Sequence, residues 1–208
     1  MDYLSALHDA VLERKIVLLA CPPMDYATLL MNITAAVSSA SDRVCFVTFL
    51  KPHRNRIAEF VEYNRYNPRG IDLKKFFFVD GVERVAEFPT NDSRMKYLLH
   101  PIRAIEDLAN STIRDHLYLH SITDIDHINK RILSVVWDKR SNALLFDALF
   151  MLQEYMSEDD IIRLMHAMTA RLRAFKCALV IPFLVAGQDI ELMKRLQPLA
   201  DKTIIAKK

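Results

Sequence analysis

The sequence predicts a three-layer α/β/α fold with a mainly parallel sheet. Three observations carry that expectation. Short aliphatic and aromatic runs, apolar on both faces, recur along the chain. Segments of ten or more residues with an apolar stripe at helical spacing separate them, and hydrophobic residues make up 51% of 208 against 26% charged. Strands buried on both sides and joined by helices make a parallel sheet with helices on each face. No linker, repeat or composition break divides residues 1–208, so one domain is expected, large enough to bury roughly 70% of the surface its unfolded chain exposes.

The elements follow in order. Leu4, Leu7 and Val11 recur at helical spacing, and Lys15 to Ala20 is a buried-strand run. Tyr26, Leu29, Leu30, Ile33 and Val37 form the stripe of a helix entered after Pro22 and Pro23, with Asp25 as its cap. Arg43 to Phe49 is the second strand, residues 54–64 are helical, and Asn67-Pro68-Arg69-Gly70 is turn chemistry. Lys75 to Val79 is the third strand, closed by Asp80-Gly81. Residues 82–115 yield only one short helix near 101–110, and His116 to His120 alternates as a strand. Thr123 with Asp126 then reads as a capping box for a helix whose stripe is Ile125, Ile128, Ile132 and Val135. Ala143 to Phe146, ending in Asp147, is a buried strand, and Ser157 with Asp160 caps a helix striped by Ile161, Met165, Met168 and Leu172. Cys177 to Phe183, Asp189 to Gln197 and Thr203 to Ala206 complete the chain as strand, helix and strand.

Composition removes several function classes. The chain holds three glycines, Gly70, Gly81 and Gly187, and the closest two are eleven residues apart. Neither an intact phosphate-binding loop nor a dinucleotide fingerprint can be built from them. The net charge of +2 balances 28 basic against 26 acidic groups, so no global field marks a nucleic-acid or membrane-surface binder. Cys21, Cys45 and Cys177 are far apart and set among apolar residues, which reads as buried reduced thiols in a cytoplasmic protein rather than a zinc or disulfide framework. The N-terminus shows no apolar signal core, and the longest apolar run, Cys177 to Ala186, is interrupted by Pro182 and too short to span a bilayer.

The pattern resembles the RecA/KaiC-like branch of the P-loop ATPases, in the small single-domain form common among prokaryotic, especially archaeal, proteins. The likeness covers most of the chain and is best from Ser121 to Ala206. There a capped helix leads to Leu144-Leu145-Phe146-Asp147, similar to a Walker B strand, and the chain closes on Leu199-Ala200-Asp201-Lys202-Thr203-Ile204-Ile205. The resemblance implies a strand order in which 15–20 lies between 177–183 and 203–206, with 143–147, 43–49 and 75–79 continuing outward. It also implies docking between protomers, since the family's ATP site commonly lies at a protomer boundary.

The likeness fails where the family's chemistry should be. The stretch matching the phosphate loop reads Cys21-Pro22-Pro23-Met24-Asp25-Tyr26-Ala27-Thr28, with Cys21 and Tyr26 in the glycine positions, Ala27 in the lysine position, and only Thr28 retained. Prolines lack the N–H groups that cradle an anion, and Asp25 carries the wrong charge. Losing the lysine costs about 1.5–3 kcal/mol and a strained loop about 1–2 more, which moves a micromolar site to millimolar or weaker. The second strand lacks its carboxylate, since Phe49 is followed by Leu50 and Lys51. Asp147, in the place of a magnesium-linked carboxylate, reads as a loop-ordering residue. Cys21, Tyr26, Ala27, Thr28 and Asp147 are therefore vestigial positions, with no catalytic residue, cofactor or metal expected.

Two other features invite chemistry. His116 and His120 on a strand share a face but lie about 13 Å apart, too far for one metal. Lys51, Arg54, Arg56, Lys74 and Lys75 cluster beside Tyr63 and Tyr66 and form the candidate polyanion contact, although a solvated helix face explains them more simply. The reading is a catalytically inactive RecA/KaiC-like homologue that serves as a regulatory or scaffolding module for a protein partner or its own copies. The alternatives are an ATP-binding RecA-like ATPase with a divergent phosphate site and a polynucleotide-binding module working through residues 51–75. Phe76-Phe77-Phe78, read as lying near a sheet edge, needs cover for at least one ring from residues 82–115 or from another chain.

Overall fold

A computed structural model of the chain describes residues 2–21, 26–67, 70–81, 116–119, 124–184 and 189–206. Seven strands form one sheet: β1 (Ile16–Cys21), β2 (Val44–Thr48), β3 (Phe76–Asp80), β4 (His116–Tyr118), β5 (Ala143–Asp147), β6 (Ala178–Leu184) and β7 (Lys202–Ile205). They lie in the order β4-β3-β2-β5-β6-β1-β7, and every pairing is parallel. The implied order holds for six strands. β4 adds a seventh outside β3, so β3 is not the edge, and Phe78 pairs in register with His116.

Alternation along each strand divides the core in two. Val17, Leu19, Phe46, Phe76, Phe78, Leu145 and Val180 face α1 (Tyr3–Leu12), α2 (Tyr26–Ala40) and α3 (His53–Tyr66). Ile16, Leu18, Cys45, Val79, Leu144, Phe146 and Leu179 face α4 (Ile125–Asp138), α5 (Glu158–Ala174) and α6 (Asp189–Leu196). The rings of Phe46, Phe60, Phe76 and Phe78 meet at centroid distances of 5.4–6.4 Å beneath α3. Phe77 points to the opposite face, where Lys139 Nζ stands 4.8 Å from its centroid, so the chain's own α4 end helps cover it. Pro182 is tolerated inside β6 because of where its nitrogen points. The Leu179 N–H goes to Lys15 beside β1 and the Ala178 N–H to Asn142 beside β5. Alternation turns the 182 nitrogen toward β5, whose ladder has already ended at Val180.

Of the expected helix caps, one holds and one needs correction. Ser157 caps α5, accepting from the Asp160 N–H and donating to its carboxylate. For α4 the cap is Asp124, which accepts from the His127 N–H; Thr123 lies outside the described residues, as do Asp25, residues 82–115 and His120. Asp124, one residue closer to the helix than the expected cap, is itself a strong capping type. No helix among the described residues is long and apolar enough to cross a membrane. All three cysteines are buried and free.

Three helices end in the same way, and no sequence signal announced it. α1, α4 and α5 each close with a Schellman motif: Lys15 N–H to Ala10 O, Ser141 N–H to Val136 O, and Cys177 N–H to Leu172 O. The left-handed residue in each is a cation, Arg14 (φ 60°), Arg140 (φ 52°) or Lys176 (φ 53°), where glycine is the usual occupant. Replacing Lys176 by Gly should therefore raise stability by about 1 kcal/mol, or about 2–4 °C in Tm for a chain of this size. A calorimetric scan of K176G that shows a lower Tm would contradict the strain.

Candidate functional site

Open parallel sheets bind ligands at the carboxyl ends of their strands. Here three adjacent strands end in polar residues held in register, Asp147 on β5, Thr48 on β2 and Asp80 on β3. All three are buried, with Asp147 at 0% exposure.

Asp147 is the centre of this group. Its Oδ1 accepts from the Tyr26 hydroxyl at 2.8 Å, and that hydroxyl accepts in turn from the Ala148 N–H at 3.3 Å. Its Oδ2 accepts from Arg56 Nε at 2.9 Å and stands 2.7 Å from Arg56 Nη2. The Thr48 hydroxyl lies 3.2 Å from the same oxygen and 2.8 Å from Lys51 O, with one proton to share between the two acceptors. Arg56 is 1% exposed; its Nη1 donates to Glu59 Oε2 at 2.8 Å, and Lys51 Nζ holds Glu59 Oε1 at 2.5 Å. Aspartate, arginine, glutamate and lysine thus run as one chain of alternating charge from the core to the surface.

Burial raises the Asp147 carboxyl above the usual carboxylate value, opposed by Arg56 and the three side-chain hydrogen bonds. Burial likewise works against the Arg56 charge, but Asp147 and Glu59 outweigh it and the guanidinium holds its proton more firmly than usual. Burial and the neighbouring carboxylate push the Tyr26 hydroxyl well above the tyrosine range, so it acts as a fixed donor. We read the pair as ionised at neutral pH, since the guanidinium stays charged and two hydroxyls face the carboxylate.

A second pair lies beside the first. Asp80 Oδ2 accepts the His53 N–H at 2.9 Å and stands 2.8 Å from His53 Nδ1. α3 begins at Pro52, which offers no capping side chain, so a carboxylate from the end of β3 satisfies its first N–H instead.

The sequence-derived positions separate accordingly. Tyr26 and Asp147 meet directly; Cys21 ends β1 in the core, Ala27 is half-buried, and Thr28 faces outward. The polyanion cluster needs correction. Arg56 is turned inward because it shares a stripe with His53, Ile57 and Phe60, Lys51 is held by Glu59, and Lys75 Nζ donates to Ser38 O at 2.8 Å. Arg54 and Lys74 remain on the surface. His53, Asp80 and the inward Arg56 were missed. Arg56's place at helical spacing between buried neighbours was the available signal; Asp80 and His53 depend on strand register, which no spacing carries.

Arg56→Met leaves the Asp147 carboxylate buried without its cation and should cost about 3–5 kcal/mol in urea denaturation, and Asp147→Asn in the same background should return part of the loss. The deficit of R56M should also shrink as the pH falls toward the ordinary carboxylate range, because a carboxyl with a raised folded-state pKa gains relative stability as it protonates. A double variant as unstable as the single one would separate the two residues. Burial also pushes the Cys21 and Cys177 thiols up to about 12 and Cys45 well above its usual value. Thiolate-specific reagents should therefore label them only as the chain unfolds; rapid labelling in native buffer would refute their burial.

No protein-family model matches the chain, and no curated protein does. Among solved structures, a KaiC-like protein of the hyperthermophilic archaeon Pyrococcus horikoshii aligns over 93% of this chain and 71% of that one, with TM-score 0.55 and 14% sequence identity. A likeness at that identity speaks for architecture, and with the strand order and layers above it gives this chain a KaiC-like, RecA-type α/β/α fold.

Proposed function

We propose that residues 1–208 form one RecA/KaiC-like domain whose ATPase centre has been rebuilt as a structural hub, and that the chain acts through its surfaces as a regulatory or scaffolding partner of another protein or of its own copies. The observation that carries this reading is the occupancy of Asp147. The carboxylate in the Walker B position accepts from a guanidinium and two hydroxyls, so an incoming magnesium ion would have to displace Arg56. A guanidinium tethered to α3 already supplies the positive charge that magnesium would bring. The phosphate side agrees, since Tyr26 fills a glycine position and spends its hydroxyl on Asp147, and Ala27 offers no charge in the lysine position. Three free buried thiols suit a reducing cytoplasm.

Binding at a hundred times the dissociation constant stabilises a protein by about 2.7 kcal/mol, or about 5–10 °C in Tm here. Millimolar Mg-ATP should produce no magnesium-dependent shift of that kind and no phosphate release. Either signal, lost on Asp147→Asn, would establish instead an ATPase with a divergent phosphate site.

A further inference from the structure

The amino-terminal rim of the sheet, at the opposite end from Asp147, holds an open cavity of about 620 Å³. It is lined by Trp137, Phe175, Asp138, Arg140, Ser141 and Asn142. Trp137 is 65% exposed, and its ring meets that of Phe175 at 5.1 Å and 49°, which leaves an aromatic shelf open to solvent. Ser141 is 6% exposed, yet its hydroxyl has no hydrogen-bond partner among the described residues. A buried unsatisfied hydroxyl is destabilising, so folding alone does not explain a serine at this position.

The rim around this cavity is cationic. β2, β5, β6 and β1 are consecutive in the sheet, and the residues leading into them include Arg43, Arg140, Lys176 and Arg14. Neighbouring strands lie about 4.8 Å apart, so these four side chains span about 15 Å of one edge. Arg14 and Arg43 donate to the carbonyls of Asn142 and Lys139, and none of the four forms an ion pair among the described residues. Three of the four are the left-handed residues of the Schellman motifs. A cation at a helix C-terminus gains from the dipole, but by less than a left-handed side chain costs. Folding alone is therefore better served by glycine at these positions.

We propose that this rim docks an acidic peptide segment of a protein partner, with an aromatic or bulky apolar side chain seated on Trp137 and Phe175 and carboxylates facing Arg43, Arg140, Lys176 and Arg14. Tryptophan and arginine are the residues that most often dominate protein interfaces. Asp138 lines the cavity and Glu13 and Asp42 sit on the same rim, so a peptide whose few carboxylates are spaced to meet the cations fits better than an unbroken run of phosphates. The proposal deepens the reading of the chain as an interaction module. Its test reads only the rim, so its failure is distinct from a magnesium-dependent ATP signal at the other end.

Trp137 is the single tryptophan of the chain and reports on the site directly. Titration with a short peptide of glutamate and phenylalanine should change its emission saturably, whereas the same peptide with serine for phenylalanine, or lysine for glutamate, should not. Arg140→Gly with Lys176→Gly removes two charges while relieving two strained positions; it should fold at least as well as the parent and bind the peptide at least about tenfold more weakly. An unchanged affinity in that variant, or no response of Trp137 to the acidic aromatic peptide, overturns the proposal. Tighter binding of oligothymidine than of the peptide overturns it in favour of a nucleic-acid face.

Discussion

A carboxylate in the middle of an apolar sheet is the constraint around which the rest of this fold is arranged. Asp147 ends a strand buried on both faces, and removing such an ion from water costs several kcal/mol unless its lone pairs are filled. Arg56 supplies the opposite charge, Tyr26 and Thr48 the remaining donors, and each comes from a different element. One side chain thereby fixes where α2 starts, how α3 lies across the sheet and how far β2 runs before it turns. Glu59 and Lys51 extend the network to the surface, where solvent completes the neutralisation. The Ala148 N–H closes onto the Tyr26 hydroxyl, with Ala148 itself left-handed at φ 58°, so the backbone beyond Asp147 bends to satisfy the same group.

Much of the architecture was legible because its signals are local and redundant. Strands such as Leu144-Leu145-Phe146 are apolar at every position, and stripes such as Ile161, Met165, Met168 and Leu172 repeat over several turns, so one ambiguous residue changes nothing. The sheet order came from resemblance rather than from any periodicity. The site was half legible. Asp147 and Tyr26 stood out as departures from a known pattern, but their contact spans 121 residues and no local spacing encodes it. Arg56 was misread because a charged residue in a basic segment suggests solvent, although His53, Ile57 and Phe60 place it on the buried face of its helix. The cap of α4 was placed one residue early, because Thr123 and Asp124 are both capping types and spacing alone does not say which starts the helix.

The two ends of the sheet treat charge in opposite ways. At the carboxyl ends, Asp147 and Asp80 are buried and partnered by arginine, histidine and hydroxyls of the chain itself. At the amino ends, Arg43, Arg140 and Lys176 are exposed and Arg14 is half-buried, three of the four sit where glycine would be less strained, and the nearby Ser141 hydroxyl finds no partner among the described residues. Pairing charges inside offsets the cost of burying them; holding cations outside at left-handed positions costs more than the helix dipole returns unless something binds them. Stability accounts for the first arrangement completely. It leaves the second unexplained, and that asymmetry directs the search for a partner to the amino-terminal rim rather than to the crevice where a RecA-type fold would first suggest looking.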